Sequence, residues 1–294
     1  MGTSADSRTS CEVVSSCQRV EAPDGASLCI RTWRPTAASG VRHVAILAHG
    51  IGLHSEPYAL LGHPLAEAGV AVYAPDLRGH GLSDGPRARL SGVDTMIDDL
   101  DAVVGLAAER HPDRPPVFIG ESMGGLYAMA YAAAREGALS GLVLINPALG
   151  LRRRHMLSPG AIRFLIEAQL RPSSPSVDLT GELLEVSTRD PAFIALRHHD
   201  ELSQKSVSPE YVLALRDLAQ QWETRYTRRL GLPLLLLLSG DDRLLRPDLP
   251  RRMFRIAPSR DKTGVVFLGA RHTLLWDPAS RAAVDAVLDW LLEH

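Results

Sequence analysis

The sequence predicts an α/β protein whose mostly parallel sheet is covered by helices on both faces. Three observations carry that expectation. Short apolar segments of strand length alternate with helix-length amphipathic ones over most of the chain. The alternation stops between about residues 150 and 229 and then resumes. At one strand-to-helix junction the chain reads Gly120-Glu121-Ser122-Met123-Gly124.

The elements follow in order. Residues 1–16 are polar and are expected to be a disordered lead-in. Gln18–Ala22 and Ser27–Trp33 alternate on either side of Pro23-Asp24-Gly25, a turn sequence, and predict a hairpin. Next come a strand at Val41–Ala48, a helix at Pro57–Ala68 and a strand at Ala71–Ala74. Thr95–Glu109 is helical, Val117–Ile119 a strand, Met123–Arg135 a helix and Leu142–Ile145 the sixth strand.

Beyond Asn146-Pro147 no good strand is visible until Leu234. Amphipathic segments occur at Ala161–Leu170 and Glu210–Tyr226, with a Pro/Ser-rich linker at Arg171–Ser176. Leu234–Leu238 and Val265–Leu268 complete an eight-stranded sheet, and Ser280–Leu292 closes the chain as a helix. The expected organisation is a core of residues 17–149 and 230–294, interrupted after the sixth strand by a helical cap of residues 150–229. Such an insertion sits over the carboxyl ends of the strands, where open α/β sheets bind ligands.

Composition narrows the function classes. A formal charge of −2 over 294 residues argues against a nucleic-acid partner. Cys11, Cys17 and Cys29 lack metal-ligand spacing, and an odd count is a poor disulfide framework, so reduced thiols are expected. No signal peptide is visible, and Asp6 stands where N-myristoylation wants Ser or Thr. The longest apolar run, Leu232–Leu238, is too short to span a bilayer. A soluble, cytoplasmic protein is expected.

The pentapeptide carries chemistry because of where it sits. Flanking glycines allow a sharp, strained turn that lifts the Ser122 hydroxyl above the sheet, and the following helix aims its N-terminal N–H groups at the same place. A serine hydroxyl needs an adjacent base, itself oriented by a third group. In this arrangement the partners follow in the order serine, acid, histidine. His272, in Gly269-Ala270-Arg271-His272, alone of eleven histidines lies just after the last strand and before the last helix. Asp241 and Asp242 both follow Leu234–Leu238, with Asp248 a weaker third candidate.

An oxyanion hole needs backbone donors. Met123, directly after the serine, is one. The loop His49-Gly50-Ile51-Gly52-Leu53-His54 should supply the other, at Ile51. No carboxylate or cysteine accompanies His49 and His54 at metal-binding spacing, and neither metal nor cofactor is expected. Pro75–Gly85, dense in turn formers, should be a rigid loop shaped by Asp76 and Arg78. The run Arg152-Arg153-Arg154 reads as a solvated face.

These residues give the chain a resemblance to the α/β-hydrolase superfamily, and within it to the monoacylglycerol lipase and lysophospholipase-like branch, which includes plant-type caffeoyl shikimate esterases. The carriers are His49–Ser55, Asp76–Gly85, Gly120–Gly125, Asp241-Asp242-Arg243-Leu244 and Gly269–His272, in order and at family-like spacing over residues 25–292. The resemblance implies the α/β-hydrolase fold, a cap lining an acyl pocket, and Asp242 as the acid, because the family's acid directly precedes this Arg-Leu. Some relatives place the acid after the preceding strand, where this chain has Asn146. Ile51 and Leu53 depart from the smaller and more polar residues usual in the lipases.

The implied activity is a serine hydrolase cleaving carboxylic esters. Its partner would be a small-molecule, lipid-like ester of the monoacylglycerol or lysolipid kind, with Ile162, Phe164, Leu165 and Ile166 as candidate apolar lining of the cap. Contact of the cap with a membrane surface is allowed, though no amphipathic signal carries it. The same triad also suits an acyltransferase or thioesterase, and the fold also serves non-catalytic ligand-binding proteins.

Overall fold

Eight strands form one sheet in the computed structural model, which describes residues 12–37, 40–90, 92–156 and 159–294. β1 (Val13–Glu21) and β2 (Ser27–Pro35) pair antiparallel at one edge. β3 (His43–Ala48), α1 (Ala59–Glu67), β4 (Val70–Pro75), α2 (Val93–Arg110), β5 (Val117–Glu121), α3 (Met123–Ala134) and β6 (Gly141–Ile145) follow. After a long excursion, which holds β7 (Val177–Asp178) and β8 (Ser206–Val207), come β9 (Leu234–Ser239), α9 (Asp248–Ile256), β10 (Lys262–Phe267) and α10 (Ser280–Glu293). The strand order is β1-β2-β4-β3-β5-β6-β9-β10. β2 runs antiparallel to both of its neighbours, and the remaining pairings of this eight-stranded sheet are parallel.

Side chains along a strand point alternately to opposite faces, and the central strands bury both. In β3, Val44, Ile46 and Ala48 enter one core while Ala45 and Leu47 enter the other. β9 divides likewise, with Leu234, Leu236 and Leu238 on one side and Leu235 and Leu237 on the other. Two-sided burial is why these strands read as continuous apolar runs. Helices α2 and α3 cover the first face, and α1 and α10 the second.

The segment between β6 and β9 contains α4 (Arg153–Met156), α5 (Pro159–Leu170), β7 (Val177–Asp178), α6 (Glu182–Ser187), α7 (Pro191–His199), β8 (Ser206–Val207) and α8 (Pro209–Gln220). Asp190 caps α7 by accepting from Ala192 and Phe193 N–H, and Ser208 caps α8 by accepting from Tyr211 N–H. Val207, Tyr211, Leu218, Trp222 and Tyr226 join the core that also holds Met123 and Leu126. In contrast, Ile162, Leu165, Ile166 and Leu170 of α5 are 54–73% exposed. Those first three, expected as pocket lining, turn outward, because α5 packs on α8 along its other side.

Several boundaries differ from expectation. β1 begins at Val13, because register with β2 as far as Val13↔Pro35 organises residues whose mostly exposed side chains give little hydrophobic signal. The remainder of the expected lead-in, residues 1–11, lies outside the described residues. The short antiparallel pair β7–β8 was not anticipated. The expectation of reduced thiols is overturned for two cysteines: Cys17 and Cys29 are joined by a disulfide, Cα–Cα 6.5 Å. Cys17 lies opposite Arg31 and Cys29 opposite Arg19, which makes the cysteines diagonal neighbours on one face of the hairpin. Cys11 is outside the described residues. Among the described residues no helix is long and apolar enough to cross a membrane.

Candidate active site

β5 delivers Ser122 at the junction with α3 in a backbone conformation, φ 54° and ψ −112°, that non-glycine residues seldom adopt. Its neighbours explain why the turn needs glycine. A Cβ on Gly120 would lie 2.3 Å from the Gly124 carbonyl oxygen, and one on Gly124 would lie 2.2 Å from that of Ala48. The surroundings hold the strained residue in place. Ser122 N–H donates to the Ile145 carbonyl at 2.9 Å, and the Ser122 carbonyl accepts from Ala148 N–H at 2.9 Å.

The structure brings Ser122, His272 and Asp242 into one hydrogen-bonded line. Ser122 Oγ lies 3.0 Å from His272 Nε2, and His272 Nδ1 lies 2.8 Å from Asp242 Oδ2. The other Asp242 oxygen accepts from the N–H groups of Leu244 and Leu245 at 2.9 and 2.8 Å. An acceptor at Nδ1 places the imidazole proton there and leaves Nε2 free to accept from the serine. Burial pushes the His272 pKa down, but Asp242's charge and hydrogen bond, with Glu121, outweigh it and leave the group above its ordinary value. Burial likewise raises Asp242, yet His272 and the two amides bring it below the usual carboxylate range.

The rival acids are engaged elsewhere. Asp241 pairs at the surface with Arg243 and Arg271, and Asp248 pairs with Arg246 at the start of α9.

The loop after β3 runs beside the serine: a Cβ on Gly50 would lie 3.7 Å from Ser122 Cβ. His49 is buried, its Nδ1 donating to the Gly50 carbonyl at 2.8 Å and its Nε2 accepting from Leu77 N–H at 3.0 Å. Burial pulls its pKa down to about 3, so the ring is neutral. Gly50 N–H donates to the Tyr58 hydroxyl at 2.8 Å. The Gly52 carbonyl accepts from Gln204 N–H at 2.8 Å and from Arg197 Nη1 at 2.6 Å. Ile51 N–H thus belongs to a loop held on both sides, and Met123 N–H, at the first turn of α3, has no partner within its own helix.

Behind this loop, Asp76 accepts from Ser55 N–H and Oγ at 2.7 and 2.6 Å and from Leu82 N–H at 2.8 Å. A Cβ on Gly81 would come 2.2 Å from the Asp76 carboxylate. Arg78 donates to Asp99 and Asp24.

Four residues around the site escape sequence reasoning. Asn146 Nδ2 donates to the His272 carbonyl, Arg152 Nε donates to the Asp242 carbonyl at 2.8 Å, and Arg197 and Tyr58 grip the loop after β3. Arg152 belongs to the run read as a solvated face. Only Asn146, at a strand end already marked as a place for an acid, carried a local signal.

A family model described as serine aminopeptidase, S33, matches residues 39–279. The monoacylglycerol lipase of Mycolicibacterium smegmatis is 30% identical over 272 residues, 92% of this chain and 94% of that protein. The monoglyceride lipase of Rattus norvegicus is 30% identical over 252 residues, 85% of this chain and 81% of that protein. In fold, the chain is similar to a soluble variant of the monoglyceride lipase of Saccharomyces cerevisiae solved with a substrate analogue. The TM-score is 0.82 at 22% identity, covering 100% of this chain and 99% of that one.

Proposed function

We propose, from the premise that the chain belongs to the serine aminopeptidase S33 family and is a serine ester hydrolase of the α/β-hydrolase, monoacylglycerol lipase-like kind, that Ser122, His272 and Asp242 cleave a lipid-like monoester through an acyl-enzyme. One observation carries the reading: the continuous line from Ser122 Oγ through His272 to Asp242, at 3.0 and 2.8 Å.

His272 Nε2 takes the Ser122 proton as Oγ attacks the ester carbonyl, and Asp242 stabilises the resulting imidazolium. The tetrahedral oxyanion rests on Met123 and Ile51 N–H. His272 returns its proton to the leaving alcohol, and water activated by the same imidazole releases the acid. Residues 150–229 serve as a cap over this site, and Tyr211 of α8 donates to Met123 Sδ at 2.8 Å beside it. The relatives' activity on monoacylglycerol supports a single acyl chain on a small alcohol as the substrate class.

Hydrolysis of p-nitrophenyl esters from acetate to palmitate, and of monoacylglycerol by glycerol release, tests the reading beside Ser122→Ala. Turnover that survives the substitution, or a protein that cleaves no ester and takes no fluorophosphonate label, overturns it.

A further inference from the structure

Glu121 occupies the variable position before the nucleophile, and serine chemistry makes no use of its side chain. It is buried nonetheless, and burying a carboxyl without strong partners is unfavourable by several kcal/mol. Its partner is specific. Tyr58, fully buried, donates to Glu121 Oε2 at 2.6 Å, while the Tyr58 oxygen accepts from Gly50 N–H at 2.8 Å. A hydrogen-bonded chain therefore runs from β5, next to the serine, to the loop carrying Ile51.

Both peptide planes of Gly50 are fixed. Gly50 N–H is held by Tyr58 and Gly50 C=O by His49 Nδ1. Across a planar trans peptide, N–H and C=O point oppositely, so His49, by pinning the Gly50 carbonyl, aims Ile51 N–H, while Tyr58 fixes the peptide plane on the other side of Gly50. The Tyr58 ring stands edge-on to Trp276 at 5.1 Å, and Trp276 meets Phe193 of α7 at 4.5 Å. Tyr58 is thereby held by the histidine loop, which α7 braces from the other side.

We propose that Glu121 and Tyr58 are positioning residues for ester hydrolysis, acting through the Glu121–Tyr58–Gly50 chain to hold the Ile51 N–H where the oxyanion forms. The proposal rests on the serine-hydrolase reading above.

Burial pushes the Glu121 pKa up to about 7, against opposing pulls from the Tyr58 hydrogen bond and His272. The groups around the carboxyl are Tyr58, the Leu275 backbone and His272, with Arg197 facing Tyr58 and Asp242 facing His272. The ionised carboxylate is the stronger acceptor for Tyr58, and its negative charge holds His272 up. The acidic limb of activity should therefore record two ionisations, Glu121 and His272.

The test is kcat and KM on p-nitrophenyl butyrate, and the rate of fluorophosphonate labelling, across the acidic limb for wild type, Tyr58→Phe and Glu121→Gln, with thermal melts. Wild-type labelling that disappears in Ser122→Ala secures the underlying reading separately. Tyr58→Phe should lower kcat and labelling roughly tenfold or more with little change in KM. Glu121→Gln should reduce the acidic limb to one ionisation and move it to lower pH. Folded Tyr58→Phe that labels as fast as wild type, or a Glu121→Gln limb superimposable on the wild-type one, overturns the proposal. If Tyr58→Phe does not fold, the Glu121→Gln limb decides.

Discussion

Asn146 Nδ2 donates to the main-chain carbonyl of His272 at 2.7 Å, so the end of β6 holds the loop that carries the imidazole. The same amide donates to Ser239 Oγ at 2.8 Å, and its oxygen accepts from Ser239 N–H at 2.8 Å. Ser239 Oγ passes the connection to the Arg271 carbonyl at 2.5 Å. Asn146 also sits at φ 43°, a conformation asparagine tolerates better than most residues. Asn146→Ala leaves buried groups without partners and should lower stability by about 1–3 kcal/mol. The expected signs are a lower urea midpoint and a kcat loss exceeding any change in KM. Full activity at unchanged stability would contradict the assignment.

The second prediction concerns pH. The base role proposed for His272 requires the neutral ring, and its pKa stands above the ordinary 6.5 because Asp242 and Glu121 outweigh burial. Activity should therefore rise with pH through a midpoint above 6.5. Asp242→Asn removes the larger raising influence, so the midpoint should fall while kcat drops by roughly 10⁴. Stability follows the matching sign. A raised histidine contributes fully below its unfolded value, and that contribution fades as pH rises through the folded one. The stability gap between wild type and Asp242→Asn should accordingly narrow above about pH 6.5.

Thiol titration gives a simple count. With Cys17 and Cys29 joined, protein denatured without reductant should titrate two thiols fewer than protein reduced first. Equal counts would show that the bond does not form in solution.

The outward face of α5 can be tested without turnover. Ile162, Leu165, Ile166 and Leu170 are each more than half exposed along a single helix. A contiguous apolar stripe of this kind suits contact with a lipid surface, in keeping with a lipid-like substrate. Wild type should co-sediment with phosphatidylcholine vesicles, and Leu165→Ser with Ile166→Ser should weaken that binding while activity on a soluble short-chain ester stays near wild type. Equal co-sedimentation of both proteins would remove α5 from membrane contact.

The middle of the sheet was legible because its strands announce themselves locally: two-sided burial makes Val117–Ile119 or Leu234–Leu238 apolar without interruption. Ser122 and His272 were legible because glycines mark the turns that carry them. Other features depend on contacts between distant parts of the chain. Asn146 and His272 are 126 residues apart, and Arg197 reaches Gly52 across 145 residues. No local pattern announces such a bond. The α5 stripe has the period of a core-facing helix, and period alone does not tell core from surface. Cysteine parity failed for a related reason, since strand register rather than count brings Cys17 to Cys29. Helix α9 escaped because its short segment is rich in arginine and buries only Pro250 and Met253.

The two bonds on the Gly52 carbonyl tie the loop beside the serine to α7 and to Gln204 beyond it. Arg197 is buried, and burial draws its pKa down to about 10, so solvent is already largely excluded where it meets the loop. Any outward displacement of α7 would have to break the bond from Arg197 and bring a guanidinium and a peptide oxygen into water.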